Sequence, residues 1–256
     1  MDESLRLHLI YRTYDGENER ARPSWYSKAV ALRSCLASAI DCQELADITI
    51  LCDSPTMPVG FPRALNDFAP ETRPPIPVRV EYLGGIGNTA SSLRSLELAC
   101  RFPPRDLIYI SEDDYLFEEA AFTELCFAAK NLPNVSYFSL YDHPDRYRRE
   151  DDRRRRVSKP VMLAGHRHWR FAESTCMSFA ARVETLRQDR WVQAALARKA
   201  NIPRDRRLWH ILQSPLLGPR RRLLVTPIPS LATHAARDDL APIVDWIAVA
   251  ARYAGL

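Results

Sequence analysis

Short apolar runs alternate with stretches of helical spacing through the first half of the chain. Leu5 to Tyr11 (LRLHLIY) has the β-rich character of a first strand, which Arg12-Thr13-Tyr14-Asp15-Gly16 ends with turn residues. Ser24 then precedes Trp25 to Ile40, where Val30, Leu32, Leu36 and Ile40 mark the inner face of a helix. A second apolar strand, Asp47 to Cys52 (DITILC), stops at Asp53-Ser54-Pro55. This β-α-β start predicts a parallel sheet. Pro55 to Pro77 is proline-rich and reads as an irregular connection. Val78 to Leu83 resumes as a strand, the turn Gly84-Gly85-Ile86-Gly87-Asn88-Thr89 follows, and Ala90 to Cys100 suits a helix. Asp106 to Ile110 (DLIYI) is a further strand that runs straight into Ser111-Glu112-Asp113-Asp114. Repeated strand and helix predict an α/β fold with a doubly wound sheet.

The second half is less regular. Helices are expected over Glu118 to Lys130, Trp191 to Arg198, Leu208 to Leu212 and Ile243 to Tyr253, and strands over Val135 to Tyr141 and Leu223 to Thr226. Phe171 to Arg187 begins extended and turns helical. Asp142 to Arg156 is almost wholly polar and reads as a mobile surface loop.

Composition narrows the class. A chain of 256 residues with 46% hydrophobic and 27% charged residues can bury one large core, so one domain over residues 1–256 is expected. No apolar stretch approaches the roughly 18 residues of a membrane span, which points to a cytoplasmic protein and leaves only peripheral membrane contact open. The cysteines Cys35, Cys42, Cys52, Cys100, Cys126 and Cys176 stand singly in apolar segments, as buried reduced thiols do, rather than at zinc or disulfide spacing. The net charge of +4 is concentrated in the arginine runs 146–156, 204–207 and 220–222. Such runs suit an anionic partner or simply a solvated basic surface.

The sharpest chemical signal is Glu112-Asp113-Asp114. Three adjacent carboxylates at the end of a buried strand repel one another and call for compensation. A divalent cation is the simplest compensation, since Mg²⁺ or Mn²⁺ takes one or two carboxylates together with substrate phosphate oxygens. An acidic N-cap of the next helix is the plainer reading.

The string Ser111-Glu112-Asp113-Asp114-Tyr115-Leu116-Phe117, after a β-α-β start ending in Asp53, resembles the GT-A nucleotide-sugar glycosyltransferases. It is most similar to the E-D-D motif of the N-acetylglucosaminyltransferases and their bacterial relatives. The resemblance implies a GT-A-like, Rossmann-type mixed sheet flanked by helices. It also implies a metal-dependent glycosyltransferase moving a sugar from a nucleoside diphosphate donor, UDP above all, to an acceptor by an inverting route. Residues from about 1 to 117 would then form the nucleotide-binding half and 118 to 256 the acceptor half. Asp114 would ligate Mn²⁺ or Mg²⁺, with His234 as a further ligand, while Glu112 and Asp113 face the ribose or metal-bound water. Tyr11, Arg12 and Asp53 would hold the base and ribose, and the turn at Gly87 and Asn88 would let backbone approach the nucleotide. Asp205 matches the place of the catalytic base, with Glu173 as the alternative, although the family's tryptophan-acidic base signature is not reproduced. His166, Arg167, His168, Trp169 and Arg170 suit either sugar and phosphate contact or a turn with Trp169 in the core. The loop from Asp142 would order over the donor. Two rivals are weighed: a nucleotidyltransferase, which shares the sheet and the metal but should carry an N-terminal glycine- and lysine-rich phosphate loop that Arg12 to Gly16 does not supply, and an arginine-rich nucleic-acid-binding protein, whose nucleic acid the acidic cluster would repel, so that no nucleic-acid partner is expected.

Overall fold

A strand covered on both faces reads as a continuous apolar run, and β1 (Leu7–Thr13, LHLIYRT) is buried at every position. In the computed structural model, which describes residues 5–68, 75–147, 160–197, 205–217 and 221–254, β1 lies inside a nine-stranded sheet of order β3-β2-β1-β4-β9-β6-β10-β8-β7. It pairs in parallel with β2 (Leu45–Cys52) on one side and β4 (Leu107–Glu112) on the other. β3 (Val78–Tyr82) extends the parallel set beyond β2. β9 (Phe179–Arg182) is antiparallel to both β4 and β6 (Tyr137–Phe138), which makes the sheet mixed. β10 (Leu224–Ile228) continues it, and the hairpin of β7 (Val161–Ala164) and β8 (Arg167–Phe171) closes that edge. A separate two-stranded ribbon joins β5 (Tyr115–Phe117) to β11 (Ala232–His234).

Helices cover both faces. Leu7, Leu9 and Tyr11 point into one core with Leu32 and Leu36 of α1 (Lys28–Ile40), Phe122 and Leu125 of α4 (Ala121–Asn131) and Trp246 of α7 (Trp246–Ala254). Ile10, Ile108 and Ile110 point into the other. They meet Leu96 of α3 (Asn88–Ala99), Leu186 of α5 (Val183–Ala197), and Trp209 and Leu212 of α6 (Asp205–Gln213). The mixed α/β sheet with flanking helices expected from the sequence is therefore the observed fold. At the amino ends of the strands, the buried His8 ring bridges Asp47 and Asp106, 2.9 Å from each, and ties β1, β2 and the entry to β4 together. A second buried pair, Arg222 with Asp189, is bidentate at 2.8 Å and also receives the Tyr137 hydroxyl.

Several elements differ from expectation. α1 starts at Lys28 because Ser27, not Ser24, is its cap, accepting from the Val30 amide at 3.1 Å. The proline-rich connection contains α2 (Phe61–Asp67), entered through Gly60 at φ +84° with Pro62 in its first turn. Tyr115 to Phe117 forms β5 instead of leading directly into a helix, so the acidic trio ends in a turn between two strands and is not a helix cap. The segment 166–170 lies in the β7–β8 hairpin rather than a solvated turn, with Trp169 fully buried. Of the polar loop expected from Asp142, residues 148–156 lie outside the described residues, and Asp142 itself is buried against Arg170 and Tyr147. No helix among the described residues is long and apolar enough to cross a membrane.

Candidate functional site

The strand order creates one natural crevice. From β1 the chain steps outward through β2 to β3, then returns to the opposite side of β1 as β4. The connections leaving β1 and β4 diverge at their carboxyl ends, and such topological switch points are where open α/β sheets bind ligands. Arg12, Thr13 and Tyr14 leave β1 there, and Glu112, Asp113 and Asp114 leave β4 beside them.

The three carboxylates diverge, and each meets its own cation. Glu112 Oε1 accepts from the Arg12 guanidinium at 3.0 Å. Asp113 Oδ2 accepts from Lys28 Nζ and the Thr13 hydroxyl, both at 2.7 Å, on the α1 side. Asp114 Oδ2 lies 2.9 Å from His234 Nε2 and accepts from Arg22 at 3.1 Å. The β5–β11 ribbon sets this last contact, because it places His234 opposite Tyr115. Burial pushes the Glu112 carboxyl up to about 7 against the pull of Arg12, with Asp114 and Asp113 adding to the rise. Burial likewise raises Asp113 in spite of Lys28. Burial opposes ionisation of Asp114 too, but the charges and hydrogen bonds of His234 and Arg22 outweigh it and hold that carboxyl well below the usual range. The compensation that the trio calls for is thus supplied in part from within the chain.

Arg12 is clamped rather than free. Its guanidinium donates to Asn88 Oδ1 at 2.6 Å and the Asn88 carbonyl at 2.9 Å, so it fastens β1 and β4 to the start of α3. Asp53 accepts from the Ile86 and Gly87 amides at 2.7 and 2.8 Å, one on each oxygen, and so pins the glycine turn. Gly87 takes φ +88° and ψ 161°, a conformation open essentially to glycine alone. Tyr11 is fully buried, with its ring edge-on to Phe61 and its hydroxyl without a hydrogen-bond partner among the described residues.

The two carboxylates singled out as bases have other work. Asp205, at the start of α6, accepts from Trp209 Nε1 at 2.7 Å, Cys176 N–H at 3.3 Å and the Thr175 hydroxyl at 3.4 Å. Burial raises its carboxyl while these donors pull it down. It holds the turn at Cys176 and Met177, both at positive φ, and the Cys176 carbonyl of that turn accepts from the hydroxyl of Tyr115, the residue after the trio, at 3.1 Å. Glu173 is exposed and pairs with Arg146 at 2.6 Å. In the 166–170 segment, His166 faces Glu124, Arg167 pairs with Glu118, and Arg170 pairs with Asp142. From the arginine runs, Arg206 pairs with Asp145 and Arg222 with Asp189.

The residues that complete the crevice, Arg20, Arg22 and Lys28, carry no motif. Their only local signal is the cluster of cations between β1 and the first turn of α1. Arg20 also pairs with Asp239 at 2.7 Å, and Asp239 lies 3.8 Å from His234 Nδ1; Arg20 and Asp239 line a cleft with Ala21, Ala236, Arg237 and Asp238. Asp114 Oδ1 is buried with no hydrogen-bond partner. An unpartnered carboxylate oxygen beside an imidazole fits a divalent ion that takes its other ligands from phosphate.

No protein-family model matches the sequence. No curated protein matches it either. Among solved structures, the chain is similar to 4-diphosphocytidyl-2C-methyl-D-erythritol synthase from Anaerococcus prevotii, at 10% identity and TM-score 0.45 over 98% of this chain and 96% of that one. It is also similar to a CMP:2-keto-3-deoxy-manno-octonic acid synthetase complexed with CTP, at 9% identity and TM-score 0.46 over 88% and 92%. Neither is a glycosyltransferase, and the glycosyltransferase expectation is corrected on that finding. The engagement of Asp205 and Glu173 described above also leaves it without its assigned base.

Proposed function

We propose that the chain binds a nucleoside triphosphate at the β1/β4 switch point and transfers its nucleotidyl group to an anionic acceptor. The observation that carries this reading is the meeting, at that crevice, of the cations Arg12, Arg22 and Lys28 with the trio Glu112, Asp113 and Asp114. Arg20, Arg22 and Lys28 stand where a phosphate loop follows the first strand. They supply by side-chain charge what a glycine-rich loop supplies by backbone amides. Asp114, with its unpartnered Oδ1, and His234 would hold Mg²⁺ or Mn²⁺, which when bound neutralises phosphate charge. The turn from Gly84 to Gly87, held by Asp53, leaves room for the nucleoside.

In the transfer, an acceptor oxygen forms a bond to the α-phosphorus while the bond from that phosphorus to its bridging oxygen breaks. Pyrophosphate leaves with the electron pair. An acceptor already ionised, such as a phosphate or carboxylate, has no proton to lose and needs no general base. That requirement agrees with the engagement of Asp205 and Glu173 elsewhere, whereas transfer to a sugar or protein hydroxyl needs a positioned base.

The test is a calorimetric titration of CTP, UTP, ATP and GTP, each with Mg²⁺ and with chelator, followed by a pyrophosphate-release assay against phosphorylated and carboxylated acceptors. One triphosphate should bind with Mg²⁺, and Arg22→Met and Asp114→Asn should each weaken it at least about tenfold, the loss of one charge-assisted contact of roughly 1.5–3 kcal/mol. No binding of any triphosphate, or pyrophosphate release indifferent to both substitutions, overturns the reading.

A further inference from the structure

At the opposite end of the sheet from this crevice, the tight turn between α1 and β2 meets α4. Cys42 and Glu44 lie two residues apart on that turn, which is held by Cys42 N–H to the Ala39 carbonyl and Leu45 N–H to the Cys42 carbonyl, both 3.1 Å. Cys126 reaches it from the middle of α4. The two sulfurs are 3.6 Å apart, and Cys42 Sγ is 3.4 Å from Glu44 Oε2. One ligand atom from each of the three residues lies within 4.8 Å of the others, which makes them the one such group found among the described residues.

We infer that Cys42, Cys126 and Glu44 form a structural binding site for a thiolate-preferring divalent ion, zinc above all. A tetrahedral zinc centre, with bonds of about 2.3 Å to sulfur and about 2.1 Å to oxygen, has edges of about 3.8 Å between sulfurs and about 3.6 Å from sulfur to oxygen. The present separations of 3.6 and 3.4 Å fall within about 0.2 Å of those edges, and the remaining Cys126–Glu44 edge lies within 4.8 Å. Charge closes as well. Two thiolates and a carboxylate around Zn²⁺ leave one net negative charge, and Lys130 already pairs with the second oxygen of Glu44. That ammonium is in place because Lys130 follows Cys126 by one helical turn on the same face of α4. Both thiols are fully buried while the Glu44 side chain is 18% exposed, so the ion's entry path and its fourth ligand, a water, lie along Glu44. Bound there, the ion would pin the α1–β2 turn to α4, a whole strand's length from the crevice. Spacing alone gave no hint of the site: Cys42 and Cys126 are 84 residues apart.

The full chain, purified under reducing conditions and stripped with chelator, is titrated with Co²⁺ and then Zn²⁺. Tetrahedral thiolate ligation predicts a thiolate-to-cobalt charge-transfer band saturating at one ion per chain and displaced by Zn²⁺. Cys126→Ser should abolish the band, and Glu44→Gln, at a partly exposed position that tolerates the change, should weaken Co²⁺ binding at least tenfold with circular dichroism unchanged. Asp114→Asn should leave the band intact, which separates this ion from any held at the switch point. The inference is overturned if no band forms, if the band survives in Cys126→Ser, or if two thiols are lost to a disulfide with no ion bound.

Discussion

Lys28 is the group whose removal tests the ionic construction of the crevice most directly. Its side chain is 7% exposed, with Nζ 2.7 Å from Asp113 Oδ2, 2.6 Å from the Tyr14 carbonyl and 3.8 Å from the centre of the Tyr14 ring. At 2.7 Å and an effective dielectric of about 20, the Lys28–Asp113 attraction is about 6 kcal/mol before the cost of desolvating both groups. Lys28→Met keeps the packing of the stem but strands a buried carboxylate whose remaining donors are Thr13 and the Tyr14 amide. Removing one partner of a buried pair costs about 3–5 kcal/mol, while replacing both costs far less. Urea unfolding at pH 7 should therefore show Lys28→Met destabilised by about 3–5 kcal/mol, and the double variant Lys28→Met/Asp113→Asn should recover at least half of that. The pH dependence has a definite sign. Asp113 already sits above its ordinary value because of burial, and it rises further without Lys28. A folded carboxyl with a raised pKa destabilises in its ionised form, so the deficit of the single variant should be small at pH 4 and grow as pH climbs through the folded pKa. A loss below 1 kcal/mol at pH 7, or strict additivity in the double variant, would refute the reasoning.

Three further outcomes follow. Glu112→Gln should flatten the pH dependence of stability: burial raises Glu112 from 4.5 to about 7, so the wild-type protein loses up to about 3 kcal/mol as pH rises from 5 to 8, and the variant lacks that loss in paired unfolding curves. Arg222→Met leaves the fully buried Asp189 with the Tyr137 hydroxyl as its remaining side-chain donor among the described residues, and should cost about 3–5 kcal/mol in urea unfolding; a loss below about 1 kcal/mol would refute the pair's structural role. Gly87→Ala meets open space but a glycine-only backbone conformation, so it should cost about 1–3 kcal/mol in thermal unfolding, most of it lost again in Asp53→Ala, which frees the turn.

The parallel half of the fold was legible because both-face burial writes itself into the sequence as short continuous apolar runs, as in DITILC and DLIYI. The second half was not, because its strands are short or mixed in polarity. β6 has only Tyr137 and Phe138, and β8 alternates Arg167, Trp169 and Phe171 with His168 and Arg170, so it reads as a polar turn even with Trp169 in the core. β5 escaped because its three apolar residues directly follow carboxylates, a pattern shared with a capped helix. The acidic trio was visible for what it is, a costly concentration of charge at a strand end. What compensates it was not, since Lys28 and Arg22 stand 85 and 92 residues away from Asp113 and Asp114.

That distant compensation bears on how a ligand could enter. In the bare protein each carboxylate at the crevice already has a cation: Arg12 for Glu112, Lys28 for Asp113, and Arg22 with His234 for Asp114. A divalent ion arriving at Asp114 without its nucleotide would add positive charge beside Arg22 and His234 with no phosphate to balance it. A free triphosphate taking Arg22 would leave Asp114 with His234 as its remaining cationic partner and bring phosphate charge against that carboxylate. Either exchange incurs the penalty of an uncompensated buried charge. A nucleotide already complexed with its metal brings both signs at once, so the guanidinium turns to phosphate as the carboxylate turns to the ion, and no charge is left alone. On the proposed function, a closed set of ion pairs would therefore select for the metal–nucleotide complex over either component, and the unpartnered Oδ1 of Asp114 is the place where that exchange would begin.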